Sequence, residues 1–357
     1  MAAICNADEI TSPLCGDSME DKTTNLPKPL EYMSCIAHLG IFGILGVLAR
    51  YLLQKLFGPG VANVTGDHSI LYLDLPSNMI GSFLMGWLGV VFKEDISSGV
   101  SDFLAIGLST GFLGSLTTFS GWNQKMLDLS VNGDWLFCLL GFLIGFFLVC
   151  YSIIFGIETA KGFKWVLKRM NNKGSSKTGT NHSNSINKWW IQLVVLIVLM
   201  IILALLWSIS GILLVKEFNR NNARAQLCLA CVVGPFGVWV RWLLARLNGC
   251  GLGRRERMKW VPFGTMIANV SAACVMAALA IIIKEVNTST CNTIVTGIQF
   301  GFLGCLSTVS TFVAEFNAMS ESNHPWRAYA YALMTIGLSF GLGTLIYSVP
   351  VWTRPYS

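Results

Sequence analysis

Two stretches of this sequence carry residue types that could do chemistry in an apolar setting. The first is Gly111-Phe112-Leu113-Gly114-Ser115-Leu116-Thr117-Thr118-Phe119-Ser120-Gly121-Trp122. The second is Gly301-Phe302-Leu303-Gly304-Cys305-Leu306-Ser307-Thr308-Val309-Ser310-Thr311-Phe312, with the same glycine spacing and the same crowd of hydroxyls. Glycine is a weak helix former, so a turn holding two glycines and then several hydroxyls leaves many hydrogen-bonding groups to satisfy in lipid. Such a break survives only against protein or along a watery path. Singly, the hydroxyls of Thr117, Thr118, Ser120, Ser307, Thr308, Ser310 and Thr311 bond back to a carbonyl one turn earlier. Seven in two matching places exceed that need, and they line up as donors for an anion leaving water.

Two further groups point the same way. Asn78 and Asn269 lie within apolar runs, where a primary amide with two donors is costly unless bonded, so each either glues helices together or serves a solute. Arg50 and Arg241 near helix ends either snorkel to headgroups or draw anions into a vestibule, and Glu315 closes another apolar run. An acidic relay of the kind proton-coupled pumps use is not apparent, which favours passive conduction. His38, His68, His182 and His324 stand outside the shared motifs, at span ends or in loops, which argues against a hydrolytic enzyme. The eleven cysteines are scattered in apolar segments as small hydrophobes, and Cys228-x-x-Cys231 lacks the second pair a metal or redox site would want.

The elements that must position these groups follow from composition. Of the 357 residues 53% are hydrophobic and 12% charged, about half the charge of a typical soluble domain (~25%). Nine apolar segments approach the ~20 residues a bilayer core requires, at about 36–57, 70–92, 103–126, 135–157, 189–215, 224–247, 260–283, 292–316 and 326–350. The fold class expected is therefore an all-α polytopic membrane protein. Residues 1–32 read as a disordered cytosolic tail without a signal peptide. The net charge of +6 falls in two loops, one with Lys161, Lys164, Lys168, Arg169, Lys173, Lys177 and Lys188, the other with Arg254, Arg255, Arg257 and Lys259. Nine spans and a cytosolic N-terminus put both loops inside, and they argue for a membrane setting rather than nucleic acid. The Asn63 and Asn287 sequons fall in short outer loops close to the bilayer, which disfavours glycosylation.

The chain repeats itself. Gly46-Val47-Leu48-Ala49-Arg50-Tyr51-Leu52-Leu53 returns as Gly237-Val238-Trp239-Val240-Arg241-Trp242-Leu243-Leu244, and Asn78 returns as Asn269, both 191 positions later; the glycine stretches follow at 190. Segments one to four (33–160) and six to nine (223–350) thus form two four-helix repeats, joined over 161–222 by a basic linker and one added span, with a short tail at 351–357. Four spans return the chain to its starting side, so the added fifth turns the second repeat upside down, a recurrent plan for moving small solutes at the repeat interface. Glycine pairs at four-residue spacing (Gly107 with Gly111, Gly141 with Gly145, Gly297 with Gly301, Gly337 with Gly341) are read as close-packing devices.

The stretch Gly-Phe-Leu-Gly-Ser-Leu-Thr-Thr-Phe-Ser, with the upstream Gly-x-x-x-Arg-Tyr-Leu-Leu and the intramembrane Asn, resembles the Fluc (CrcB-type) fluoride channels. The two-repeat, nine-span layout is similar to their single-chain eukaryotic relatives, the FEX fluoride exporters. The resemblance covers roughly residues 36–350 and implies an inverted pair of repeats acting as a monomeric fused pseudo-dimer. It implies a plasma-membrane channel with a cytosolic N-terminus and an extracellular C-terminus, passing fluoride rather than acting as an enzyme. Each family pore takes one phenylalanine from each repeat on the broken third helix. Carried over, one pore pairs Phe119 with Phe312, while the other pairs Val309 with Trp122 and is vestigial. Asn78 and Asn269 match the pore asparagine and Arg50 and Arg241 the vestibule arginine, and the hydroxyls of Thr118, Ser120, Ser310 and Thr311 are read as lining the same pore. The resemblance further implies a structural Na⁺ held by backbone carbonyls of Gly114, Thr117, Gly304 and Ser307. The alternatives to a channel are a proton-coupled anion transporter and a membrane scaffold.

Overall fold

The computed structural model describes residues 27–66, 70–95, 99–171, 185–218, 220, 222–251 and 258–354, and these contain helices and turns but no strands. The first repeat holds α1 (Lys28–Phe57), α2 (Leu75–Asp95), α3 (Gly99–Ile106), α4 (Phe119–Val131) and α5 (Trp135–Asn171). A linker helix, α6 (Ser185–Glu217), precedes the second repeat of α7 (Asn222–Leu244), α8 (Phe263–Val286), α9 (Ser289–Ile298), α10 (Ser310–Ser320), α11 (Trp326–Gly343) and α12 (Val349–Thr353). Eight helical stretches among the described residues are long and apolar enough to cross a membrane; α2, apolar over Leu75–Val91, is shorter. The chain is an all-α polytopic membrane protein with a repeated architecture.

The third span of each repeat is broken as expected, in more pieces than the sequence suggests. Between α3 and α4 lie a π-helix over Gly107–Leu113 and one α-turn over Gly114–Leu116, after which Thr117 and Thr118 are extended. Between α9 and α10 the order recurs as a π-helix over Gln299–Leu303, a turn over Gly304–Leu306 and an extended Ser307. Glycine and β-branched residues resist regular α-helix, and the wider π-turns absorb the misfit, as they often do at functional sites.

Three boundaries differ from expectation. With Pro27 before it and Pro29 in its first turn, α1 starts at Lys28, so part of the expected tail is helix; proline is tolerated there because the first N–H groups have no intrahelical partner. Helix α5 runs to Asn171, about 55 Å against a ~30 Å hydrocarbon core. Lys161, Lys164, Lys168 and Arg169 therefore ride on a helix that leaves the bilayer, where a polar linker was expected. Residues 1–26, Lys173, Lys177, Arg254, Arg255 and Arg257 lie outside the described residues.

The two repeats meet reciprocally. A Cβ on Gly43 of α1 would strike Val238 of α7, and one on Gly234 would press on Val47; these two contacts exchange under the 191-residue offset. Contacts that exchange in this way mark a two-fold axis between like surfaces. Gly46 and Gly237, on the same pair of helices, lie against the carbonyls of Phe112 and Phe302. The linker α6 packs on α7 and α1, with Leu203 against Gly40, and its remaining face carries exposed Ile201, Leu205, Ile209 and Ile212. Of the four glycine pairs, three contact neighbouring helices, whereas Gly337 and Gly341 face open space.

Gly114 is the tightest of these approaches and Gly304 is its counterpart, since a Cβ on either would collide with the guanidinium of Arg241 or Arg50, respectively. Gly114→Ala and Gly304→Ala are each expected to lower the thermal midpoint of the purified protein in detergent, from an overpacking cost of ~1–3 kcal/mol. Gly341→Ala should leave it nearly unchanged.

Candidate functional site

A helix that restarts mid-membrane presents backbone N–H groups with no partner in their own turn. Neither Thr118 nor Val309, the residues before α4 and α10, caps its own helix with a side chain. The caps come from the opposite repeat. Ser307 Oγ accepts from Phe119 N at 3.2 Å and Ser120 N at 3.1 Å. Thr117 Oγ1 accepts from Val309 N at 3.2 Å and Ser310 N at 3.1 Å. Each hydroxyl donates its hydrogen to the carbonyl four residues back, Leu303 O and Leu113 O. Thr118 and Ser120 complete the ring on Ser307, and Thr308 and Ser310 on Thr117. Much of the hydroxyl crowd that read as donors for an anion therefore supports the break itself.

The asparagines clamp the same breaks. Asn78 Oδ1 accepts from Thr118 N at 2.9 Å while Nδ2 donates to Thr118 O at 3.1 Å. Asn269 grips Thr308 identically, at 2.8 and 3.0 Å. An amide thus replaces the missing helical partners of one extended residue. The two differ in the remaining amide hydrogen. Asn78 Nδ2 also donates to Tyr72 Oη at 3.1 Å. Phe263 stands where Tyr72 does and has no hydroxyl, so among the described residues the second amide hydrogen of Asn269 has no protein acceptor.

Phe119 and Phe312 come together across the repeat interface, edge to face with centroids 5.9 Å apart, both fully buried. Phe312 also meets Tyr331 at 5.2 Å. From there a polar cluster continues: Tyr331 Oη donates to Glu315 Oε2 at 2.7 Å, Thr265 Oγ1 to Glu315 Oε1 at 2.6 Å, and Asn248 Nδ2 to the same oxygen at 3.2 Å. The other expected pair looks different. Trp122 stacks on Tyr72 at 5.7 Å, tilts against Phe142 at 5.6 Å and donates to Gly141 O, with Val309 buried in the same core.

Arg241 lies in the last turn of α7 and Arg50 about two turns before the end of α1, but neither side chain reaches out to headgroups. Arg50 and Arg241 are 1% and 4% exposed, and each donates across the interface to a π-helix carbonyl of the other repeat: Arg50 to Phe300 O, Arg241 to Thr110 O at 2.7 Å. Arg241 Nε and Nη1 have no protein partner. It borders a cavity of about 70 Å³ lined also by Ser109, Thr110, Asn248, Thr265 and Thr311. One water needs only ~10–15 Å³ of such space, so the cavity has room for several beside Arg241 and the hydroxyls on its wall, and it shares Asn248 and Thr265 with the Glu315 cluster.

The sequence-derived residues thus gather on one interface: Phe119, Phe312, both asparagines, the hydroxyls and both arginines. Asn248, Thr265 and Tyr331 were missed. Thr265 lies four residues before Asn269 and Glu315 three after Phe312, so helical spacing alone places each on its neighbour's face; Asn248, beyond the end of α7, gives no such signal. His38, expected at a span end, is buried inside α1 between Phe42 and Phe103, with Nδ1 2.8 Å from Ser34 O. All nine described cysteines are free thiols.

A family described as CrcB-like protein, Camphor Resistance (CrcB), matches the chain twice, over residues 37–157 and 228–347. The chain is 31% identical over 147 residues to Fluoride-specific ion channel FluC 2 of Listeria monocytogenes, covering 40% of this chain and 97% of the relative. It is 33% identical over 121 residues to Fluoride-specific ion channel FluC of Campylobacter lari, covering 34% and 93%. Fluoride export protein 2 of Saccharomyces cerevisiae is 29% identical over 147 residues, 38% of this chain and 36% of the relative. No solved structure matches.

The exchanged caps make a direct prediction. Ser307→Ala strands two buried N–H groups, at ~1–3 kcal/mol for each group left unmet, and should sharply reduce the yield of folded protein on size exclusion. Ser307→Thr, which keeps the hydroxyl, should not.

Proposed function

Because the chain belongs to the CrcB-like family, we propose that it is a fluoride-selective channel that lets F⁻ leave the cytosol down its electrochemical gradient. The carrying observation is the Phe119–Phe312 pair, which touches Tyr331 of a Tyr331–Glu315–Thr265–Asn248 cluster whose Thr265 and Asn248 also line the Arg241 cavity. A phenyl ring is positive at its edge, so ring edges and amide or hydroxyl donors hold a small anion without trapping it as a full counter-charge would. A membrane potential acts on the anion with about 2.3 kcal/mol per 100 mV, roughly fifty-fold in concentration, and this reading needs no coupling ion. In it the one conducting passage uses Phe119, Phe312 and Asn269, with Thr311 at its mouth, and Val309, Trp122 and Asn78 belong to a vestigial copy.

Glu315 favours a second reading, proton-coupled anion transport, because a buried carboxyl belongs to that cluster. The two separate in liposomes monitored with a fluoride electrode. A channel gives F⁻ efflux that follows the membrane potential and ignores an imposed proton gradient. Phe119→Ile and Phe312→Ile should each cut that efflux more than tenfold, while Trp122→Ile leaves it within about twofold; the reverse pattern would falsify the pore assignment.

A further inference from the structure

The duplication supplies two mouths as well as two aromatic pairs, and the mouths are built differently. The open chamber beside Arg241 has Thr110, Ala245 and Thr265 on its wall. At the 190- and 191-residue offsets, the corresponding positions beside Arg50 hold Phe300, Gln54 and Asp74. Every one of these is larger or reverses the polarity offered to an anion.

The side chains also occupy that space. The Phe300 ring lies under the Arg50 guanidinium, with its centroid 4.4 Å from the central carbon, and Tyr51 meets the same ring edge-on at 6.4 Å. Where Arg241 and Thr110 share the wall of the chamber, Phe300 covers the equivalent cation with an aromatic face, which itself attracts a guanidinium. Beside it Gln54 Nε2 donates to Asp74 Oδ1 at 2.6 Å, closing the rim with a bonded pair. Asp74 puts carboxyl oxygens where Thr265 presents a hydroxyl, and its second oxygen fills the space against Gly121. An approaching anion meets acceptors there instead of donors.

We infer that Phe300 with the Gln54–Asp74 pair is a seal over the second mouth, so that anions enter this protein only through the Arg241 chamber. The inference rests on the channel reading and adds specificity to it: the silent passage is shut at its entrance, not only at the Val309–Trp122 constriction. It also gives Arg50 a separate role. That arginine is a structural strut on the π-helix of the other repeat, while Arg241 does the same and faces anions as well.

The test transplants the seal and removes it, with fluoride efflux from liposomes as the readout and the thermal midpoint as the folding control. Thr110→Phe, which copies the Phe300 arrangement onto the working mouth, is expected to reduce efflux at least tenfold; efflux within twofold of wild type overturns the seal. In the reverse direction, the Phe312→Ile background is given a rebuilt second constriction, Val309→Phe with Trp122→Phe, and Tyr72→Phe to free the Asn78 amide hydrogen as Phe263 leaves that of Asn269 free. Efflux should return only when Phe300→Thr, Gln54→Ala and Asp74→Thr are added. Equal recovery without those three changes overturns the inference, as does a folded full set that stays silent. Phe312→Ile that conducts on its own would instead sink the pore assignment, and Thr110→Phe would still report on the mouth.

Discussion

A helix cannot be interrupted inside hydrocarbon unless every backbone group it frees finds a partner, and that constraint organises this molecule. Each repeat interrupts its third span and meets only part of the need itself, through an asparagine of the preceding helix that replaces the partners of Thr118 or Thr308. The rest comes from the other repeat, as Ser307 caps α4 and Thr117 caps α10. The interface is thereby both a dense polar contact between the repeats and the place where the spans are interrupted. Stability and the site share the same atoms, which is why the hydroxyls there serve helix ends first.

The two-fold plan then diverges in its side chains. Backbone, caps, clamps and arginine struts are duplicated almost atom for atom, whereas the groups around them are not: Thr265 against Asp74, Thr110 against Phe300, Phe312 against Trp122, Phe263 against Tyr72. The framework needs both copies because each caps the other. The side chains around it carry no such reciprocal duty. Loss of one wall leaves the cross-bracing intact, so substitution there is tolerated where substitution of a cap is not.

Much of this was legible in the sequence because the signals were local or repeated. Hydropathy gave the spans, the 190- and 191-residue offsets gave the repeats, and the glycine-hydroxyl stretches marked the breaks. What stayed hidden depends on pairs far apart in the chain. Nothing local says that Thr117 caps α10 or that Arg50 reaches Phe300, since a hydroxyl or guanidinium reads alike whichever carbonyl or amide it meets. The extension of α5 to Asn171 was masked by its own lysines, which lower hydropathy without weakening the helix, and the π-turns have no sequence signature separable from their glycines. Asn248, beyond the end of α7, was out of reach of any periodic argument.

The reciprocal caps bear on how the protein is made. Phe119 N waits for a serine hydroxyl 188 residues further along the chain, and synthesis at about 5–20 residues per second puts that partner roughly 10–40 s behind. Through that interval the nascent first half has an uncapped helix start in the bilayer, so its early lifetime depends on water, lipid headgroups or the insertion machinery holding the gap until its twin emerges.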